Sequence, residues 1–221
     1  MRKTNGKRTN LTIIAILALG VGLFLAIQYY GLGADRAAFV ADKWSRMNLS
    51  DLWYDMLYLH IGTAMFALVA GWTQFVGKLR EQWPAVHRIV GMIYAVCVGL
   101  SGIAGIYLAF YATGGWVSSA GFLLLSLAWV YTMAQGVRAI IVEKDVRKHR
   151  SWMIRNYALT FAAVTLRIYI PAGMALFGPD SFDDSYRVIA WLCWVPNLIF
   201  AEALSRRKRK VSARKTTRVL R

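Results

Sequence analysis

Six apolar stretches, each long enough to cross a lipid bilayer, run through this chain, and its charges collect between them. They cover about Leu11 to Gly31, Leu52 to Val76, Val86 to Ala112, Trp116 to Ile141, Trp152 to Phe177 and Tyr186 to Leu204. A span needs about 20 mostly apolar residues to cross about 30 Å of hydrocarbon. Backbone groups inside lipid must bond to one another, so such segments fold as helices. Charged residues make up 17% of the chain against about 25% in soluble domains, and 57% of it is hydrophobic. The expected fold is an all-α polytopic membrane bundle of about six helices. Spans two to five form a four-helix core of two hairpins.

Three regions follow: a basic N-terminal segment (1–10), one transmembrane bundle (11–204) and a basic tail (205–221). The motif-bearing core is 52–177. The basic start resembles the leader of a signal peptide, but an apolar run of about 20 residues exceeds the 7–15 of a cleaved one. A retained helix is expected. A short interfacial helix is expected over Ala37 to Met47.

The net charge is +16, and its placement decides its meaning. Nine of the 27 basic residues lie between Arg206 and Arg221, and Arg2, Lys3, Lys7 and Arg8 open the chain. Basic residues flanking apolar spans report topology and attraction to anionic lipid headgroups. Membrane lipids, and a membrane protein partner, are the expected partners. Nucleic acid is not. The loops at Lys78 to Arg88 and Lys144 to Arg155 are basic, whereas Leu32 to Asp51, Thr113 to Gly115 and Gly178 to Ser185 together are balanced or acidic. The two sets alternate, which predicts both termini in the cytoplasm. Gly114-Gly115 should make a tight turn.

The two central hairpins echo each other. His87-Arg88 and His149-Arg150 lie sixty-two residues apart, each at the start of an outbound helix. Gly71, Gly91, Gly99, Gly102 and Gly105 allow close helix contacts. Cys97 and Cys193 fall inside spans with no metal-ligand spacing, and no disulfide is expected. The aromatic residues suit interfacial belts. Glu202 should pair with a nearby arginine.

Few residues are left to carry chemistry. His60 lies about 10–12 Å inside span two, where ionisable groups usually face a bundle interior. It reads either as a metal, haem or proton-relay group or as a histidine hydrogen-bonded between helices. Arg167 lies within span five, about 15 Å of helix from its outer end. Asn156, Thr160, Ala163 and Arg167 share one helical face. A buried guanidinium needs acceptors, and His60, Tyr169, Asp55 or a ligand's carboxylate are candidates. The alternative is a side chain that snorkels outward.

His87 and His149 sit at helix N-termini, where the field favours the neutral, ligating imidazole. Arg88, Arg150 and Arg155 beside them suit an anion, haem propionates or lipid headgroups. One iron cannot bridge His60 and this pair across about 20 Å of bilayer. His87 with His149 can form one bis-histidine site, and three histidines exclude a four-histidine di-haem core. No phosphate loop, Cys-x-x-Cys or nucleophile elbow is present.

The segments His60-Ile-Gly62, Gly71-Trp-Thr-Gln74-Phe75, Leu79-Arg80, His87-Arg88-Ile-Val-Gly91, His149-Arg150-Ser-Trp152-Met153-Ile-Arg155 and Leu166-Arg167-Ile-Tyr169 resemble a bacterial membrane family, domain of unknown function 2306. The resemblance covers about residues 55 to 175. It implies a bacterial inner-membrane protein sharing His60, Gln74, Arg80, His87, Arg88, His149, Arg150, Arg155 and Arg167. The histidine-bearing core is similar in plan to b-type cytochromes and to small haem-copper oxidase assembly proteins, although plan does not imply function.

Three functional readings stand at this point. The first is a protein holding haem b or a transition metal through His87, His149 and His60, in electron transfer or respiratory-complex assembly. The second is a transporter or binding protein for a small organic anion, using Arg167 with Arg88, Arg150, Arg155, Asn156, Gln74 and Tyr169. The third is a structural or partner-binding protein. Whether the chain is an enzyme stays open.

Overall fold

The computed structural model describes residues 2–36, 40 and 49–206, and no strand occurs among them. Helix α1 is Arg2–Leu25, continued by a wider π-helical turn over Ala26–Gly31. Helix α2 is Asp51–Gly71, ending in a 3-10 turn at Trp72–Phe75. A short α3 (Gly77–Gln82) leads into α4 (Pro84–Ala109). Helix α5 is Trp116–Ile141, α6 is Val146–Thr160 and α7 is Ala162–Phe177. Helix α8 is Phe182–Leu192, and a last helix, α9, covers 195–206. The expected interfacial helix lies outside the described residues apart from Val40, and so does the tail beyond Arg206.

Among the described residues six segments are long and apolar enough to cross a membrane, as the hydropathy pattern requires, and the fourth, Trp116–Ile141, begins and ends where that pattern puts it. Three boundaries move for local reasons. Span five starts at Val146 because Asp145 caps the helix, accepting from the backbone N–H groups of Arg147 and Lys148 at 2.9 Å each. Span six starts at Phe182, so Asp183 and Asp184 occupy its first turn instead of a loop. Acidic residues there complement the helix dipole. Much of the basic loop after span two is helical, through α3 and through Pro84 at the first turn of α4. The α4–α5 turn rests on Gly114 and Gly115, with φ of +85° and +75°.

Helix α2 packs most extensively on α4, α6 on α5, and α4 on α5, which closes the two hairpins into a four-helix core. Helix α1 lies against α2 and α7, and α8 lies against α7 and α5. Span five therefore divides. Its first half, α6, belongs to the core, and its second half, α7, packs mainly with the flanking helices. Alternation of six spans puts the start of α1 and the end of α9 at one end of the bundle, here the proximal end. The opposite end is the distal end.

The hairpin echo has a structural counterpart. Gln74 lies over Gly91, 3.4 Å from where a Cβ would stand, and Met153 lies over Gly136 at 2.9 Å. A shift of sixty-two residues carries Gln74 onto Gly136 and Gly91 onto Met153, so the same two positions meet in both hairpins with glycine and covering side chain exchanged.

Lipid tails are as apolar as the side chains, so close packing and polar contacts must hold such a bundle. Gly71 shows the packing. A Cβ there would lie 2.6 Å from Tyr157 and 2.7 Å from Tyr94, so only glycine admits both rings against α2. Gly99, by contrast, faces open space. Several aromatics expected at the interface are core instead: Trp53, Tyr94, Trp129 and Tyr157 are all buried. The surface carries the lipid-facing residues, such as Ile16, Ile103 and Phe200, each about two-thirds exposed at 64%, 65% and 66%. A soluble protein does not present such continuous apolar bands to water.

Candidate functional site

Polar side chains gather at three levels of the bundle. At its centre, Tyr94 on α4 donates to Asn156 Oδ1 on α6 at 2.7 Å. Asn156 Nδ2 donates to the Trp129 carbonyl and to Thr132 Oγ1 on α5, at 2.8 and 3.0 Å. The Trp129 indole donates to Thr160 Oγ1 at 2.9 Å, and Thr160 Oγ1 donates to the Asn156 carbonyl at 3.1 Å. Asn156 is fully buried. Both ends of its amide are engaged within the protein, so it and Thr160 bind helices together and are not free for a ligand.

His87 and His149 lie proximal to this network. His87 stands seven residues before Tyr94, and His149 seven before Asn156. Seven residues are two helical turns, about 10.5 Å, along the same face. Helices α4 and α6 both run from proximal to distal. The contact that joins Tyr94 to Asn156 thus aims His87 and His149 at the same interior, at the same level. His149 Nδ1 is 2.7 Å from the Gly136 carbonyl. A carbonyl only accepts, so Nδ1 donates to it and Nε2 is left out of that bond. His87 Nδ1 is buried with no hydrogen-bond partner among the described residues. His149 and Arg80 lie close enough to act on it electrostatically.

The neighbouring arginines differ in what they have left to offer. Arg88 and Arg150 are exposed, with no ion pair among the described residues. Arg155 is engaged. It pairs with Glu202 through Nε at 2.8 Å and Nη2 at 2.6 Å, donates to Ser151 Oγ at 2.9 Å and lies 4.8 Å from the Trp152 ring centre. Glu202 also pairs with Arg206. A shallow open groove of about 590 Å³ between α5, α6 and α9 runs up to this ion pair. Gln74 donates weakly to Thr73 Oγ1 at 3.5 Å and otherwise covers Gly91, one turn beyond His87.

The third level is distal. His60 Nδ1 lies 2.9 Å from the Ser101 carbonyl and 3.0 Å from Ser101 Oγ, which itself donates to the His60 carbonyl at 3.0 Å. Its ring packs on Gly105, where a Cβ would stand 3.2 Å from it. As in His149, the proton is held on Nδ1 and Nε2 remains an acceptor. Arg167 Nη1 donates to the Ala163 carbonyl at 3.0 Å. Tyr29, Tyr186 and Cys193 lie near enough to act on its charge, and it acts on His60. Of its expected partners, Asp55 is exposed, and Tyr169 packs against the core without a hydrogen bond among the described residues.

The structure thus separates the candidates into a proximal group (Gln74, His87, His149 with Arg88 and Arg150) and a distal group (His60, Arg167). Tyr29, Tyr94, Tyr186 and Cys193 were not among the sequence candidates. One signal could have found Tyr94, because it stands sixty-two residues before Asn156, the spacing of the two His-Arg pairs. Among the described residues no three His, Cys, Asp or Glu side chains gather as a metal cluster. Comparison with known proteins adds one match: the family model described as predicted membrane protein (DUF2306) covers residues 57–205. No curated protein and no solved structure matches the chain.

Proposed function

The chain belongs to the predicted membrane protein family DUF2306, and we propose that it is a bacterial inner-membrane protein that binds haem b between His87 and His149, serving electron transfer or respiratory-complex assembly. The carrying observation is the two-turn offset of both histidines from the Tyr94–Asn156 contact, which aims them at one interior. The donor set fits. His149 is held by Gly136 through Nδ1, and His87 has a buried nitrogen with no hydrogen-bond partner among the described residues. Among the described residues no third His, Cys, Asp or Glu joins the two imidazoles in a metal cluster, which suits an iron whose other ligands come from a porphyrin. A bare Zn²⁺ usually takes four ligands.

Haem held there by His87 and His149 would supply one-electron chemistry. The chain's own residues bind, orient and shield. Gly136 fixes the His149 ring. Gly91 and Gly136 leave the interior to the ends of two flexible side chains, Gln74 and Met153, which move aside for a planar ligand. Arg88 and Arg150, exposed at this end, offer charge to propionates. The basic residues of the proximal loops favour a cytoplasmic position for this end.

The test is haem and metal content of the full chain, purified from cells supplied with a haem precursor and trace metals. The expected result is a haem absorbance band at about one haem per chain. It should be lost in His87→Ala and His149→Ala, each checked for intact helicity, and kept in His60→Ala. Colourless, metal-free wild-type protein contradicts the proposal.

A further inference from the structure

We propose that the distal half of the bundle holds a second site, for a small hydroxycarboxylate, with Arg167 as its counter-charge. It uses none of the residues assigned to haem and stands or falls separately.

Arg167 brings an unbalanced charge into the bundle. Arginine carries five N–H donors, and Arg167 uses one within the protein, on the Ala163 carbonyl at 3.0 Å. No ion pair joins it to an acidic side chain among the described residues. A guanidinium at this depth is costly unless an anion or further acceptors meet it.

Arg167 is half-buried, and escape along its helix to the distal surface does not resolve the cost. Helix α7 runs toward the distal end, and Phe177, ten residues on, marks its nearer limit. Ala163 lies one turn the other way. The hydrogen bond therefore holds the guanidinium back toward the middle of the bundle, away from the closer interface. Pro171 adds to the polarity. It has no N–H to give to the carbonyl four residues earlier, which is that of Arg167.

The surroundings define the ligand. Tyr29 and Tyr186 bring phenol groups from the first and last spans. His60, fixed through Nδ1 on Ser101, presents an acceptor in Nε2. A cation with free donors takes a carboxylate, and an imidazole lone pair takes a hydroxyl hydrogen. A molecule with both groups satisfies both.

Thermal unfolding of the full chain in detergent tests this, with sodium lactate, sodium propionate and sodium chloride as probes at equal ionic strength. Lactate should raise the melting temperature saturably and propionate should do so more weakly. Chloride should have no saturable effect. Arg167→Gln should raise the half-saturating lactate concentration at least about tenfold, and His60→Leu should abolish the preference for lactate over propionate. Arg167→Lys and Tyr186→Phe provide folded alternatives if Arg167→Gln does not assemble, and each should weaken the response. No saturable response in the wild type, a response equal to chloride, or an unchanged lactate response in the Arg167 variants overturns the proposal.

Discussion

Tyr94 and Asn156 meet across the middle of the bundle, hydroxyl to amide oxygen at 2.7 Å, and join the first helix hairpin to the second. The contact sets the register of α4 against α6. Everything proposed for the proximal histidines depends on that register.

The first prediction concerns this pair. Asn156→Ala takes one partner each from the Tyr94 hydroxyl, the Trp129 carbonyl and Thr132, while Tyr94 keeps Thr160 Oγ1 at 2.8 Å and Thr132 keeps the Trp129 carbonyl at 3.0 Å. The loss of these three bonds should cost about 1–3 kcal/mol in all. The direct Tyr94–Asn156 coupling should be smaller, about 0.6–1.7 kcal/mol, as for hydrogen bonds between membrane helices. A double-mutant cycle with Tyr94→Phe and Asn156→Ala, read by unfolding in detergent, measures it. Strict additivity would show that the contact does not form.

Glycines on two helices give a matched comparison. Gly71→Ala drives a methyl into Tyr94 and Tyr157 at 2.6–2.7 Å and should cost about 1–3 kcal/mol. Gly99→Ala meets nothing within 4 Å and should stay within about 0.5 kcal/mol of the wild type. Equal effects in the same unfolding assay would contradict the packing of α2 on α4.

Glu202 distinguishes its two arginines. The Arg155 side chain is 16% exposed and also holds Ser151 and Trp152, whereas Arg206 is 74% exposed. Arg155→Ala should destabilise by about 1–2 kcal/mol. Arg206→Ala should cost under about 0.5 kcal/mol, with the loss fading at high salt. Melting curves at low and high salt separate the two.

Topology can be checked by labelling. In a background with Cys97 and Cys193 replaced by serine, a cysteine at Trp116 or Asp180 should react with an impermeant maleimide on intact cells. One at Arg147 should react only after permeabilisation. The reverse pattern would invert the proposed orientation.

The spans were legible in the sequence because lipid imposes its requirement locally, on about twenty residues at a time. The Trp116–Ile141 helix needed nothing more. Helix starts were less legible, since a cap such as Asp145 extends a helix through residues as polar as Lys148 and Arg150. The histidines and Arg167 stood out because charge inside an apolar run is anomalous. Tyr29, Tyr94 and Tyr186 did not stand out, because a tyrosine in a span is ordinary until its neighbours are known. Arg155 stood out as a cation at the proximal end, but its pairing did not, because its partner Glu202 is forty-seven residues away in sequence.

The central claim is that His87 and His149 face each other across one interior. Cross-linking tests it most directly, using His87→Cys with His149→Cys in the Cys97→Ser, Cys193→Ser background and a short thiol-reactive linker. The account predicts efficient intramolecular cross-linking of this pair and none for His60→Cys with His149→Cys. Failure to link residues 87 and 149 in folded protein, or equal linking of both pairs, would contradict it.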